Sequence, residues 1–247
     1  MGAQLPTTLG KSPLLEALFE IRFQASRPAA GDLLPGIFFS ALHDQYPDVI
    51  SLPLARVPRD LRENDVNFLY QPSHQLVGKT GSIQIGDRVL ALAVQIYPGW
   101  SEFKMQAEQL VDSGEKTGLI ENVERYSFRY INVIPVREGQ PQLQSLNAKI
   151  ELGESPVLER GFQLRAEFDD EDFTSIVQVV PNSIAQPIGG EEVSGLIIDI
   201  DTHRSSGDVN FFEDRSQLLE DGHNALKRLF FSLISDQTLL QLEPSYS

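Results

Sequence analysis

A few short spacings in this 247-residue chain bring together side chains that could do chemistry. Asp199-x-Asp201 places two carboxylates on alternate residues, and His203 follows at the same interval. Glu20 and Arg22 alternate in the same way, as do Arg165 and Glu167, while Arg125 and Arg129 are one further step apart. Alternate side chains of a β-strand share a face, so each set points one way. If these strands adjoin, the shared face mixes arginines with acids. The arginines would grip a phosphorylated ligand through paired N–H groups, and the carboxylates would hold a divalent cation. The same pattern also describes a solvated sheet face laced with ion pairs. Glu20, Arg22, Arg125, Arg129, Arg165 and Glu167 are therefore candidate ligand-binding residues. Asp199 and Asp201 are candidate metal ligands, with a divalent cation the one cofactor implied. No residue is assigned a catalytic role, because ligands from a single strand do not complete a coordination shell.

Other chemistries lack their residues. The chain has no cysteine, which excludes disulfides, thiolate metal sites and cysteine nucleophiles. Neither phosphate-loop signature is present, Gly-x-x-x-x-Gly-Lys-Ser/Thr or Gly-x-Gly-x-x-Gly, and the strands do not alternate with helices as a dinucleotide fold requires. Gly-x-Ser-x-Gly is absent, so a nucleophile elbow has no support. His43 and His223 fall on or near helix stripes and read as packed residues, and His74 reads as a loop residue. Trp100, Tyr126, Phe128 and Tyr130 could stack bases. In an acidic chain, on a strand that must bury one face, they read as core.

These side chains need a scaffold, and the longest strand-like run supplies its centre. Glu124–Val136 alternates Tyr126, Phe128 and Tyr130 with Arg125, Ser127 and Arg129. Pro13–Phe23 alternates likewise, with Ala17, Phe19, Ile21 and Phe23 on one side. Residues 1–12 read as a flexible lead. Leu33–Tyr46 reads as a helix capped by Asp32, with Pro35 in its first turn, and 47–66 as an irregular connection. Phe68–Tyr70, Gln75–Lys79, Ser82–Ile85 and Val89–Ile96 read as a strand meander punctuated by glycines. Trp100–Asp112 reads as a helix, interrupted by Gly114 and Gly118. Strands are expected at Ala148–Leu152, Gly161–Phe168, Phe173–Val180 and Gly195–Thr202, with turns at Asp169–Asp172 and Ser205–Asp208. Glu213–Ser235 is the clearest helix, its stripe being Leu219, His223, Leu226, Phe230 and Leu233. The tail from Asp236 reads as frayed. The expected fold class is α+β: antiparallel sheets, each backed by a long amphipathic helix, in a pseudo-duplicated two-lobe arrangement. The lobes would be residues 13–137 and 138–236, or one continuous domain.

Charge is unevenly spread. The net charge is −15. Residues 138–247 hold 7 Lys/Arg against 20 Asp/Glu, a net of −13, and residues 1–137 hold 13 against 15. Such a half repels nucleic acid and anionic membranes and suits a basic protein partner, or solubility alone. No run approaches the ~18 apolar residues of a membrane span, and the N-terminus lacks the pattern of a signal peptide. Pro6 occupies the position where a myristoylation signal carries Ser or Thr. A cytoplasmic protein is expected.

The motifs EALFEIRF (Glu16–Phe23), RYIN (Arg129–Asn132), LIIDIDTH (Leu196–His203) and GHNALKRLFFSLISD (Gly222–Asp236) occur in that order. Together they resemble a sporadically distributed bacterial family of about this length that has no assigned activity. The resemblance spans roughly Pro13 to Asp236. It implies an accessory gene, of the kind carried with mobile elements, defence systems or toxin–antitoxin pairs. A second comparison concerns the triphosphate-tunnel phosphohydrolases, whose closed sheet opens with Glu-x-Glu-x-Lys. The corresponding stretch here is Leu18-Phe19-Glu20-Ile21-Arg22, with Leu18 in place of the first acid. The favoured expectation is a non-catalytic accessory or regulatory subunit. It would bind a basic protein partner or a second copy of itself, with neither nucleic acid nor a membrane as ligand. The alternative is a metal-dependent phosphohydrolase or nucleotide-binding protein that uses the charged sheet face.

Overall fold

A computed structural model describes residues 4–136, 139, 141–148, 150, 162–207 and 209–246. Alternation dictates its strands. In β2 (Leu14–Ala25) the side chains of Ala17, Phe19, Ile21 and Phe23 are fully buried, and the residues between them are half-buried. Every residue of β6 (Val89–Val94) is buried, and this strand runs antiparallel to β2 from Ala17 opposite Val94 to Arg22 opposite Val89. β7 (Ile120–Pro135) is the long aromatic strand, and β10 (Val193–Ser205) carries Leu196, Ile198 and Ile200 into the core.

With β3 (Asp48–Ser51), β4 (Pro72–Val77), β5 (Gly81–Gly86), β8 (Leu164–Asp170) and β9 (Phe173–Ala185), these strands make one nine-stranded antiparallel sheet in the order β3-β4-β5-β6-β2-β7-β10-β9-β8. The expectation was a sheet for each half; one sheet serves both. β3 and β8 are its edges. That position explains why Phe168 stays 40% exposed on β8. Strand-to-strand bonds run from the Val133 N–H to the Pro13 carbonyl, and from the Ser206 N–H to the Glu124 carbonyl.

Two long helices accompany the sheet. α4 (Trp100–Lys116) is longer than expected, because Gly114 sits inside it. A Cβ there would come within 2.7 Å of the Ile120 side chain, so glycine at 114 permits close packing. Thr117 caps the helix, and Gly118 follows with a φ of +65°, which suits a residue without Cβ. α5 (Phe211–Leu233) buries Leu219, His223, Leu226 and Phe230 of the expected stripe, and leaves its fifth member, Leu233, half-buried.

α1 (Ala30–Leu42) begins earlier than expected, so Asp32 lies within its first turn and is not its cap, and Pro35 falls inside the helix. An acid in the first turn still favours the helix through its dipole. The stretch 47–66, expected to be irregular, holds β3, a 3-10 turn at Pro53–Arg56 and α2 (Arg59–Asn64). The expected strand at Phe68–Tyr70 is replaced by α3 (Val66–Leu69), whose Asp65 cap accepts from the Asn67 N–H at 2.9 Å.

The described parts of the two stretches expected to be loose, 1–12 and 236–247, are structured. β1 (Thr8–Leu9) pairs with β11 (Pro244–Ser245) in a separate two-stranded sheet. α6 (Asp236–Gln241) is capped by Ser235 and tied by Thr238 to the Ser145 carbonyl at 2.9 Å. The expected strand at Ala148–Leu152 and the start of the one at Gly161 lie outside the described residues, as do Asp208 and the expected lobe boundary between 137 and 138. β9 runs on past Val180, its expected end, through Pro181 and Asn182 to Ala185.

The chain divides into two compact units that interleave in sequence. The internal unit is Glu16–Phe128 with His203–Asp221; the terminal unit is Met1–Leu15, Arg129–Thr202 and Gly222–Ser247. The internal core stacks Phe128 between Phe19 (centroids 5.2 Å apart) and Trp100 (5.8 Å, edge-on). The terminal core gathers Tyr130, Val177, Leu196, Ile198, Leu226 and Phe230. Among the described residues no helix is long and apolar enough to cross a membrane.

Candidate functional site

The terminal unit holds the best-formed of the expected charge groups. Arg129 on β7 and Asp199 on β10 belong to neighbouring strands, and the guanidinium lies across the carboxylate as a fork: Nε donates to Oδ1 at 2.9 Å and Nη2 to Oδ2 at 2.6 Å. This two-bond geometry is what makes arginine–carboxylate pairs strong. The Asp199 side chain is 12% exposed and the Arg129 side chain 43%. Both oxygens of Asp199 thus face a cation that the chain itself supplies. Asp201 stands two residues on, half-buried. On the edge strand β8, Arg165 Nη1 lies 2.8 Å from Glu167 Oε1, with both side chains more than half exposed. β9 separates β8 from β10 in the sheet. Among the described residues, no group of three or more His, Asp or Glu side chains is placed to hold a metal ion.

In the internal unit, Arg22 Nε donates to Glu20 Oε1 at 2.9 Å. Register sets this pair: Glu20 stands opposite Ala91 and Arg22 opposite Val89 on β6, and such small or branched neighbours leave the long side chains room to meet. The Arg22 guanidinium also lies 4.9 Å from the centre of the Tyr70 ring, a cation–π distance. The Tyr70 hydroxyl in turn donates to Glu124 Oε2 at 3.0 Å. Burial, then the bond to Glu124, pushes the Tyr70 hydroxyl above its ordinary range. Arg125 is half-buried on β7.

A deeply buried ionic group was not expected from the sequence. Arg62 on α2 and Asp87 in the β5–β6 turn have side chains only 6% exposed, with Arg62 Nη1 3.4 Å from Asp87 Oδ2. Arg62 Nη2 also reaches Asp32 Oδ1 at 3.1 Å, and Arg59 Nε reaches Glu63 Oε1 at 2.6 Å. Neither Asp87 oxygen, nor Arg62 Nε, makes a hydrogen bond with a described residue. Burial pushes the Asp87 carboxyl above the usual range, and the Arg62 charge pulls the other way. The turn is packed tightly: a Cβ on Gly31 would fall 2.0 Å from Asp87 Oδ1. His74, expected in a loop, lies in β4 with its pKa lowered, first by burial and then by Arg62.

The remaining candidates have structural partners. Tyr130 and His223 share a hydrogen bond of 3.1 Å inside the terminal core. His43, expected on a helix stripe, instead stands exposed at the C-cap of α1, 3.4 Å from Asp44. Trp100 donates its indole N–H to Glu220 at 2.9 Å, and Lys104 reaches the same oxygen at 3.2 Å. Trp100 is therefore fixed by hydrogen bonding as well as by packing. Arg228 of α5 grips Asp170 at 2.7 Å, while Asp169 near the end of β8 and Glu171 and Asp172 of the β8–β9 turn are exposed.

No family model matches the chain, and no curated protein matches it.

Proposed function

We propose that this protein is a non-catalytic accessory or regulatory subunit that works in the cytosol by binding a basic partner protein. The observation that carries this reading is the state of the arginines. Arg22, Arg129 and Arg165 each lie against a carboxylate of the same or the neighbouring strand. A phosphate-gripping face needs guanidinium forks turned towards the ligand, and these are turned towards the protein's own acids. The acids are in excess, and one group of them stands out: Glu171 and Asp172 form the turn of the edge hairpin β8–β9, and Asp169 is exposed beside it near the end of β8. An acidic hairpin tip offers steering and selectivity towards a basic surface.

The resemblance to a sporadically distributed bacterial family agrees with this reading and extends it. The subunit would belong to a defence or toxin–antitoxin type system. A two-lobe duplication is part of the same proposal. β2 lies beside β6, followed by β5 and β4; β7 lies beside β10, followed by β9 and β8. In each series the first strand neighbours the last, and a long helix, α4 or α5, comes next in the chain.

The test is a tagged pull-down from the native host at moderate salt, alongside the triple charge reversal D169K/E171K/D172K. A stoichiometric protein partner that the reversal releases supports the proposal. Capture of the chain's own copies would point to self-assembly instead. Recovery of a nucleotide or metal with no protein would overturn the proposal.

A further inference from the structure

The terminal unit holds a partly open cavity of about 320 Å³, at the small end of the range of ligand pockets. It has a polar end and an apolar end. The segment Lys11–Leu15 forms one wall and runs between them. At one end the Lys11 N–H donates to the Leu242 carbonyl at 3.0 Å, which sets Lys11 beside Gln241. At the other, the Val133 N–H donates to the Pro13 carbonyl at 2.8 Å, which sets Leu14 and Leu15 beside Ile134. Val193 of β10 also lines the cavity.

The charge at the polar end has a definite sign. Lys11 lines the cavity, whereas its ion-pair partner Glu243, 2.8 Å away, does not. Both side chains are more than half exposed, so this pair holds weakly and can exchange. Glu243 itself is held at φ +56°, a region few side chains adopt, by the bond from the Gly10 N–H to its carbonyl.

We infer that this cavity binds a small amphipathic carboxylate, its hydrocarbon part among Leu14, Leu15, Ile134 and Val193 and its carboxylate on the Lys11 ammonium in place of Glu243. The chemistry is that of a short acyl chain or an aryl acid. This inference is independent of the proposed partner binding, since the acidic hairpin contributes nothing to the cavity.

Octanoate serves as the probe, titrated calorimetrically into the full chain. The expected result is saturable binding of one octanoate per chain. V193W, which fills the apolar end, abolishes it, and K11E weakens it at least about tenfold through like-charge repulsion. E243Q removes the competing carboxylate and tightens binding by about two- to fivefold. That gain cannot come from a damaged fold, and it decides the matter if V193W does not fold. Absence of saturable binding, or an affinity that K11E and E243Q leave unchanged, overturns the inference.

Discussion

Two arginine–aspartate pairs in this protein solve the same problem in opposite ways. Arg129 and Asp199 meet across neighbouring strands with two short bonds, and the arginine remains nearly half exposed. Arg62 and Asp87 meet at 3.4 Å with no hydrogen bond from a described residue to either carboxylate oxygen, and both are buried. Where two strands hold the partners side by side, geometry supplies the bonds and water can keep part of the charge solvated. Where a short helix drops an arginine onto a turn, burial comes first and the bonds are incomplete. Stability should therefore depend far more on the buried pair, although it is the worse bonded.

The comparison breaks most sharply at Arg62. R62M leaves Asp87 buried without its compensating charge and should cost about 3–5 kcal/mol in urea unfolding at neutral pH. If the loss is below about 1 kcal/mol, the two pairs do not differ in kind. The double variant R62M/D87N removes both charges and should recover most of that loss.

A pH series sharpens the same point. The Asp87 carboxyl is raised in the fold, so the neutral acid is the form the folded state favours. Its contribution is full below the unfolded aspartate value and is lost as pH rises through the raised one. Removing Arg62 raises the carboxyl further, so the R62M deficit should shrink on acidification and should not shrink in R62M/D87N. Next in size, D199N breaks one arm of the sheet fork and should cost about 1–2 kcal/mol. R165A on the exposed edge should stay within about 0.5 kcal/mol of the parent. An R165A loss equal to that of D199N would mean that the fork adds nothing over an exposed pair.

The sequence made some of this legible and hid the rest for physical reasons. The buried stripes of β2, β10 and α5 follow from alternation and from helical spacing, because each element must hide one face. Pairs within a strand, Glu20–Arg22 and Arg165–Glu167, were visible for the same reason. The Arg129–Asp199 fork was visible only as two separate candidates, since spacing along a strand does not say which strand lies next to it. Arg62 and Asp87 lay in stretches that read as polar connection and turn. Nothing local distinguishes a charge that will be buried from one that will be solvated. The ends were hidden likewise: Leu9 finds its partner at Pro244, 235 residues away in sequence.

That pairing of the ends determines how the chain would respond to a pulling force. In an antiparallel pair loaded from Gln4 and Tyr246, both handles leave from the same side. The strap would open like a zipper, one bond at a time, starting with Thr7 to Ser245 and ending with Gly10 to Glu243 and Lys11 to Leu242. Little force is needed when bonds fail singly, so the strap yields before the nine-stranded sheet is strained. The last bond to break, at Lys11, is also a wall of the small cavity, so a gentle tug on the two ends would open that chamber while the rest of the fold stays intact.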